Sequence, residues 1–121
     1  NHYFKDQKTN ININSVHVKH GQINCMSFIV NHSLAYASDV SHIYNKDLIK
    51  FKNLKYLVID CLRFSKHPAH YNYDQVIKLI KILKPFKAIL TNLHSDLDYN
   101  YLLKISPNNV IPGYDGLTVS I

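Results

Sequence analysis

An apolar run followed by a capped amphipathic helix is the strongest constraint on how this chain folds. Residues Lys55–Asp60 enclose Tyr-Leu-Val-Ile, a continuous apolar run typical of a strand buried on both faces. Asn72 can cap a helix, with Gln75 as its capping-box partner. The apolar stripe of that helix consists of Val76, Leu79, Ile80 and Leu83. Pro85 ends the helix, and Ala88–Leu90 predicts another buried strand. The segment therefore predicts a strand, a helix and a second strand.

Further elements are predicted on both sides of this unit. Ser15–His20 alternates in polarity and predicts a strand, and two apolar runs, Asn24–Val30 and Leu34–Ser38, predict a hairpin. The remaining predictions are a short helix at Asp47–Phe51, a helix at Asp98–Ile105, and closing strands at Val110–Ile111 and Leu117–Ile121. Strands come first and then alternate with helices. This order predicts an α/β fold, a mixed sheet with helices on one face.

The beginning of the chain carries no such pattern. Residues 1–14 are polar and rich in Asn and Lys, and they predict an irregular lead-in. Asn1 opens neither a signal peptide nor a natural start, so we expect a chain cut from something longer or lacking its first residues. With 121 residues, 46% of them hydrophobic, residues 1–121 suit one globular domain. No apolar run reaches the roughly 18 residues of a membrane span, and no membrane partner is expected.

Charge and cysteine content narrow the classes of partner. Lys and Arg number 14 against 8 acids, and the net charge of +6 favours an anionic partner such as a phosphate ester or nucleic acid. The lysines are scattered, however, which favours a solvated surface over a nucleic-acid footprint.

Cys25 and Cys61 have no CxxC spacing and lie in apolar stretches, so they predict buried free thiols and a reducing, cytoplasmic location.

Metal-competent side chains follow the predicted strands. His20 ends one strand, Asp39 follows the hairpin, and His94 follows the strand Ala88–Leu90. His67 and His70 come after the strand that ends at Asp60 and could form a local zinc pair. Groups that follow the ends of successive strands converge along one edge of a sheet. Each residue taken singly is more often an ordinary loop histidine or turn aspartate. From the residues alone, two interpretations stay open: a His/Asp metal site, or ordinary loop histidines and turn aspartates with no metal.

Six short motifs occur in one order and resemble the second half of the metallo-β-lactamase-fold hydrolases. They are His20-Gly21, Ala35–Ser41, Leu57–Arg63, His67–His70, Thr91–Tyr99 and Tyr114–Leu117. The resemblance is strongest to the branch that contains the phosphoribosyl cyclic phosphate phosphodiesterase, with ribonuclease Z more distant. It covers the chain from about Val16 onward. It implies that the chain is the C-terminal half of an αββα metallo-β-lactamase domain and comes from a phosphodiesterase-type hydrolase.

The resemblance also implies roles for individual residues. His20 resembles the ligand of a first metal, Asp39 the carboxylate that bridges two metals, and His94 the ligand of the second. His70 resembles the catalytic histidine that protonates the leaving alkoxide, and Asp60 could orient a ligand histidine. The complete site would hold two divalent ions, Zn or Mn. They would share a hydroxide for attack on phosphorus, so Asp39 also counts as catalytic. The expected substrate is a phosphodiester small molecule or a nucleotide-like compound.

The sequence departs from the family pattern in two ways. The signature His-x-His-x-Asp-His of the N-terminal half is absent, and Asn92 stands where some relatives carry histidine, which leaves the ligand register between Asn92 and His94 open. Three ligands for two metals predict weak binding, so the fragment alone could hold none and would need its N-terminal half for activity. The alternatives are a non-catalytic, self-associating remnant and a basic nucleic-acid-binding module. An uncovered sheet face predicts self-association or binding of the missing half.

Overall fold

In the computed structural model, residues 2–121 are described and Asn1 is not. Seven strands, two α-helices and one 3-10 helix make up this part of the chain. The strands are β1 (Tyr3–Asp6), β2 (Ile11–His20), β3 (Ile23–Val30), β4 (Leu34–Ala37), β5 (Tyr56–Asp60), β6 (Lys87–Thr91) and β7 (Val110–Pro112). The helices are the 3-10 helix (Asn45–Phe51), α1 (Tyr73–Leu83) and α2 (Tyr99–Ile105).

The strands form one sheet whose spatial order is the order of the sequence, from β1 to β7. Strands β1 to β4 are antiparallel neighbours joined by turns, and β4 to β7 run parallel. The parallel half requires crossovers, which contain the 3-10 helix, α1 and α2 in turn. The predicted α/β class and mixed sheet are confirmed.

The predicted irregular lead-in at residues 1–14 is wrong for the described residues, and Asn1 lies outside them. Strand β1 pairs antiparallel with the first half of β2, from Tyr3 opposite Asn14 to Asp6 opposite Ile11. Asn10 has a positive φ of 59° in the turn between them, and the Asp6 carboxylate accepts the backbone N–H of Thr9 at 2.9 Å. These residues show no hydropathy signal because the ribbon at the sheet edge buries little of either face.

Helix α1 follows its sequence signals closely. The Asn72 side chain accepts the backbone N–H of Gln75 at 2.9 Å, and the Gln75 side chain accepts the backbone N–H of Asn72 at 3.0 Å. This is the predicted capping box. Lys84 closes the helix in the left-handed conformation, with φ of 52°, immediately before Pro85. The predicted limits of this helix are confirmed.

One face of the sheet is covered by the helices. Its central row crosses five strands through register partners: Ile29, Ala35, Leu57, Ala88 and Val110. Every member of this row is buried, and the row belongs to one apolar cluster with residues from all three helices. The helical members include Phe51, Val76, Leu83 and Leu102. We call this side of the sheet the covered face.

The opposite side, which we call the open face, has no helix against it. The adjacent row of register partners is Phe28, Tyr36, Val58, Ile89 and Ile111. Phe28 and Tyr36 are 41% and 45% exposed, Val58 and Ile111 are half-buried, and Ile89 is buried. The row lies outside the core cluster. The expectation that Lys55–Asp60 is buried on both faces is therefore wrong for this chain, because Val58 is only half-buried on the open face.

The end of the chain and its thiols complete the fold. Residues 117–121 were predicted to form a closing strand, but they are irregular, and β7 ends at Pro112. Leu117 donates its backbone N–H to Tyr114 instead of to a neighbouring strand. Both cysteines are free, as predicted; Cys61 is buried and Cys25 is half-buried. Among the described residues, no helix has the length and apolar character needed to cross a bilayer.

Candidate metal centre

His20 lies at the last position of β2 and is held by the loop that precedes α1. Its Nδ1 lies 2.7 Å from the carbonyl oxygen of Ala69. A carbonyl can only accept, so Nδ1 carries the hydrogen and Nε2 keeps its lone pair. Gly21 permits this approach, because it has a φ of +64° and a Cβ there would lie 3.2 Å from the Ala69 Cβ. The local fold thus presents His20 with a nitrogen available for a metal.

Asp39 follows β4, where the chain leaves the sheet. Its side chain is exposed, and the Ser38 hydroxyl donates to its Oδ2 at 3.1 Å. The next residue, Val40, is buried and donates its backbone N–H to Asp60 at 3.0 Å. The turn is therefore anchored to the sheet on one side and leaves the Asp39 carboxylate free to face outward as an oxygen ligand.

His70 is fixed by a buried carboxylate. Its Nδ1 lies 2.5 Å from Oδ2 of Asp60, which has no exposed surface. Both oxygens of Asp60 also accept N–H groups, from the Val40 backbone and from the Asn92 amide. A carboxylate that accepts at both oxygens takes the Nδ1 hydrogen of His70 and leaves the Nε2 lone pair free. Burial raises the pKa of Asp60, and the hydrogen bonds from Val40, His70 and Asn92 act against that rise.

These three side chains meet at one end of the sheet. One ligand atom from each of His20, Asp39 and His70 lies within 4.8 Å of those from the other two. The imidazole rings of His20 and His70 are edge to face, with centroids 4.7 Å apart. Two imidazole nitrogens and one carboxylate oxygen suit Zn or Mn. Among residues 2–121, no other group of three or more His, Cys, Asp or Glu side chains has a spacing that could hold a metal ion.

His94 is not a member of this group. Its Nδ1 lies 2.7 Å from the carboxylate of Asp96, and both side chains are largely exposed. Its backbone N–H donates to Leu62. The role of His94 as a metal ligand stays a prediction.

Asn92, the alternative to His94 for that register, lies at the edge of the group. Its amide nitrogen is 3.3 Å from the Ser38 carbonyl oxygen, 3.3 Å from Asp60 Oδ1 and 3.4 Å from His70 Nδ1. Asn92 therefore links the Asp39 turn to the Asp60–His70 pair. Sequence reasoning considered Asn92 as a question of register and missed this link.

His67 is the other histidine beside the group. Its ring centroid is 5.0 Å from that of His70, and the residue is half-buried. Loss of solvation lowers the pKa of His67, and the nearby charges of Arg63, His70 and His20 lower it further. The Ala69 backbone N–H donates to His67 Nδ1 at 3.0 Å. The local pair of His67 and His70 suggested by spacing is thus brought together, although the ligand group is completed by His20 and Asp39.

Comparison with solved structures identifies the architecture. No protein-family model and no curated protein matches the sequence. A diphosphatase of the PhnP family superposes with a TM-score of 0.90 at 24% identity, over 96% of this chain and 44% of that one. The metallo-β-lactamase fold protein YhfI from Bacillus subtilis superposes with a TM-score of 0.77 at 16% identity, over 96% of this chain and 51% of that one. The chain has part of the metallo-β-lactamase fold. The short form of human tRNase Z shares it, with a TM-score of 0.75 at 14% identity, over 98% of this chain and 44% of that one.

The chain spans about half the length of these solved structures. The expected fold and the resemblance to this group of hydrolases are confirmed. The open face also has a simple meaning in this context. A sheet that packs against a second sheet needs apolar residues on its inner side, and Phe28, Tyr36 and Val58 lie on the side of this sheet that no helix covers.

Proposed function

We propose that this chain supplies part of the site of a metal-dependent hydrolase that cleaves phosphodiesters or related phosphate compounds. The observation that carries the proposal is the convergence of His20, Asp39 and His70 within 4.8 Å, with each imidazole held through Nδ1. Two proteins that share the fold are named as a diphosphatase and a tRNase, that is, as enzymes that act on a diphosphate and on tRNA. A phosphodiester small molecule or a nucleotide-like compound is the substrate class that we propose.

His20 and Asp39 would hold the metal, which we propose to be Zn or Mn. What a divalent ion supplies at such a site is activation of water and neutralisation of charge on the phosphoryl oxygens. The complete site would take two ions, and His94 or groups outside this chain would contribute to the second. The residues that are present fit the first ion, because a neutral imidazole with a free Nε2 and an outward-facing carboxylate are both suitable donors.

His70 differs from His20 in what holds its Nδ1. A backbone carbonyl holds the His20 ring, whereas the carboxylate of Asp60 holds the His70 ring. A carboxylate on Nδ1 stabilises the imidazolium that forms when Nε2 takes a proton. We therefore propose that His70 delivers this proton to the leaving alkoxide. Asp60 is the residue that positions it, and Asn92 donates to the second oxygen of Asp60.

A second candidate is a non-catalytic remnant that retains the fold. The placement of His94 favours it, since that side chain pairs with Asp96 outside the ligand group. Under either candidate, we propose that the open face is covered in the working protein, by a missing N-terminal half or by another copy of the chain.

The decisive test is metal binding and phosphodiester cleavage in matched variants. We expect Mn²⁺ or Zn²⁺ titration to show one weak site in the chain, weakened further, by at least about tenfold, in Asp39→Asn, which keeps the shape and removes the charge. We expect a longer product, in which an N-terminal half is joined to the chain, to cleave bis(4-nitrophenyl) phosphate. His70→Gln should lower kcat by about 10²–10⁴-fold with little change in metal affinity.

Several outcomes would contradict this proposal. If the parent chain and Asp39→Asn bind metal with equal affinity, the proposed metal site is wrong. Metal affinity lost in His70→Gln would make His70 a ligand instead of an acid. A longer product that binds metal and cleaves no phosphodiester would favour the remnant.

A further inference from the structure

His67 lies beside the metal group, and the proposed mechanism does not use it. It is half-buried, and its ring centroid is 5.0 Å from that of His70. Two hydrogen bonds of Ala69 relate the histidines around it. The Ala69 carbonyl accepts from His20 at 2.7 Å, and the Ala69 N–H donates to His67 at 3.0 Å. The main chain of Ala69 therefore accepts a hydrogen bond from Nδ1 of one histidine and donates a hydrogen bond to Nδ1 of the other.

This opposite polarity assigns opposite tautomers. A backbone N–H can only donate, so Nδ1 of His67 is unprotonated and, in the neutral ring, Nε2 carries the hydrogen. His20 and His70 have their hydrogens on Nδ1, because each faces an oxygen acceptor. A metal needs a nitrogen lone pair, which His20 and His70 offer at Nε2. His67 offers an N–H at that position, so it is suited to donate a hydrogen bond and unsuited to bind the same ion.

The segment before His67 brings a fixed positive charge. The Arg63 guanidinium donates from Nε to the Ser65 carbonyl at 3.3 Å and from Nη2 to the Lys66 carbonyl at 2.8 Å. These bonds shape the loop that leads into His67. The guanidinium retains further N–H groups and keeps its charge at all relevant pH values. An N–H donor next to a permanent cation is a good environment for an anionic oxygen.

We propose that His67 is a substrate-binding residue that donates its Nε2 hydrogen to a non-reacting oxygen of the phosphate group. The inference rests on the proposed function, because that function supplies the anionic oxygen. The tautomer separates His67, which holds the phosphate, from His20, which binds metal, and His70, which transfers the proton. The Ala69 main chain is what gives His67 its different role.

The first experiment reads the tautomers directly in the metal-free chain. Long-range ¹H–¹⁵N NMR distinguishes the two nitrogens of each neutral imidazole, at a pH about two units above the ordinary histidine pKa. We expect the Nε2–H form for His67 and the Nδ1–H form for His20 and His70. An Nδ1–H tautomer at His67 would overturn the inference.

The second experiment measures inorganic phosphate binding, by titration of the chain with and without bound Mn²⁺. His67→Asn keeps an oxygen that can accept the Ala69 N–H but has no donor at the Nε2 position. We expect it to weaken phosphate binding about tenfold or more and to leave metal affinity unchanged. His67→Gln, whose amide nitrogen reaches the Nε2 position, should recover part of the loss. His32→Asn, in the β3–β4 turn, is the matched control and should change nothing.

The outcomes separate this inference from the proposed function. If the chain binds metal and phosphate and His67→Asn binds phosphate as tightly as the parent chain does, the inference is wrong and the metal site stands. If metal affinity falls in His67→Asn, His67 is a ligand and the inference is wrong. If the chain binds no metal, the proposed function fails, and phosphate titration of the metal-free variants decides the role of His67.

Discussion

The covered and open faces of the sheet are built by alternate residues of the same strands. The row Ile29, Ala35, Leu57, Ala88 and Val110 is fully buried under the helices. The row one residue along, which contains Phe28, Tyr36 and Val58, is equally apolar and has no helix against it. Hydropathy is therefore similar on the two sides, and only the placement of the helices separates them. The covered face supplies the buried apolar contacts of this chain, and the open face leaves apolar side chains at the surface, which we propose are covered by an additional layer.

The largest expected effect compares neighbours on β5. Leu57→Ala should lower the free energy of unfolding by about 2–5 kcal/mol, because Leu57 is fully buried among residues that cannot all move into the cavity. Val58→Ala, on the open face, should cost well under half of that because Val58 is only half-buried. Urea unfolding of both variants measures the difference. Equal losses would mean that the open face is already covered in solution.

The second prediction concerns titratable groups in the covered core. Burial raises the pKa of the Cys61 thiol from 9.0 to about 12 and that of the Tyr71 hydroxyl from 10.0 to about 12. At a pH between the ordinary and the raised pKa of each group, the folded chain keeps a proton on that group that the unfolded chain has released. Their contribution to the free energy of unfolding is complete below about pH 9 and is lost as the pH rises toward 12. Each pKa unit between the unfolded and folded values is worth about 1.4 kcal/mol at most.

Alkaline unfolding measured by denaturant titration tests this sign. Cys61→Ala removes one of the two groups and should flatten the decline in stability between pH 9 and 12. Cys25→Ala is the matched control, since Cys25 is a half-buried thiol on β3. A stability that rises with pH in this window would contradict the assignment.

The smallest effect concerns the open face and its partner. We expect the chain to self-associate, and Phe28→Ser with Tyr36→Ser should weaken the association by roughly tenfold or more, because both exposed rings lie in the apolar row. Sedimentation over a range of concentrations measures it. Ile82→Ser with Phe86→Ser, which removes apolar side chains that are 53% and 71% exposed on other parts of the surface, is the control. A monomer at all concentrations would mean that no second copy covers the face.

Local chemistry made much of this structure predictable. The Asn72–Gln75 capping box and Pro85 define α1 because they act on the backbone within a few residues. The hairpin of β3 and β4 and the strands β5 and β6 follow from apolar periodicity and turn residues. The same reasoning failed for residues 1–14, where β1 and β2 pair without a buried face, and for residues 117–121, which do not join the sheet.

The candidate site divides in the same way. The pattern of strands in the sequence predicts which side chains follow the strand ends, and the structure joins His20, Asp39 and His70 and leaves His94 beside Asp96. Only the tertiary structure decided which nitrogen of each histidine is free, because the deciding partners are the Ala69 main chain and the buried Asp60. It also decided which apolar row is open. Both depend on contacts between distant segments, and no local pattern in the sequence specifies such contacts.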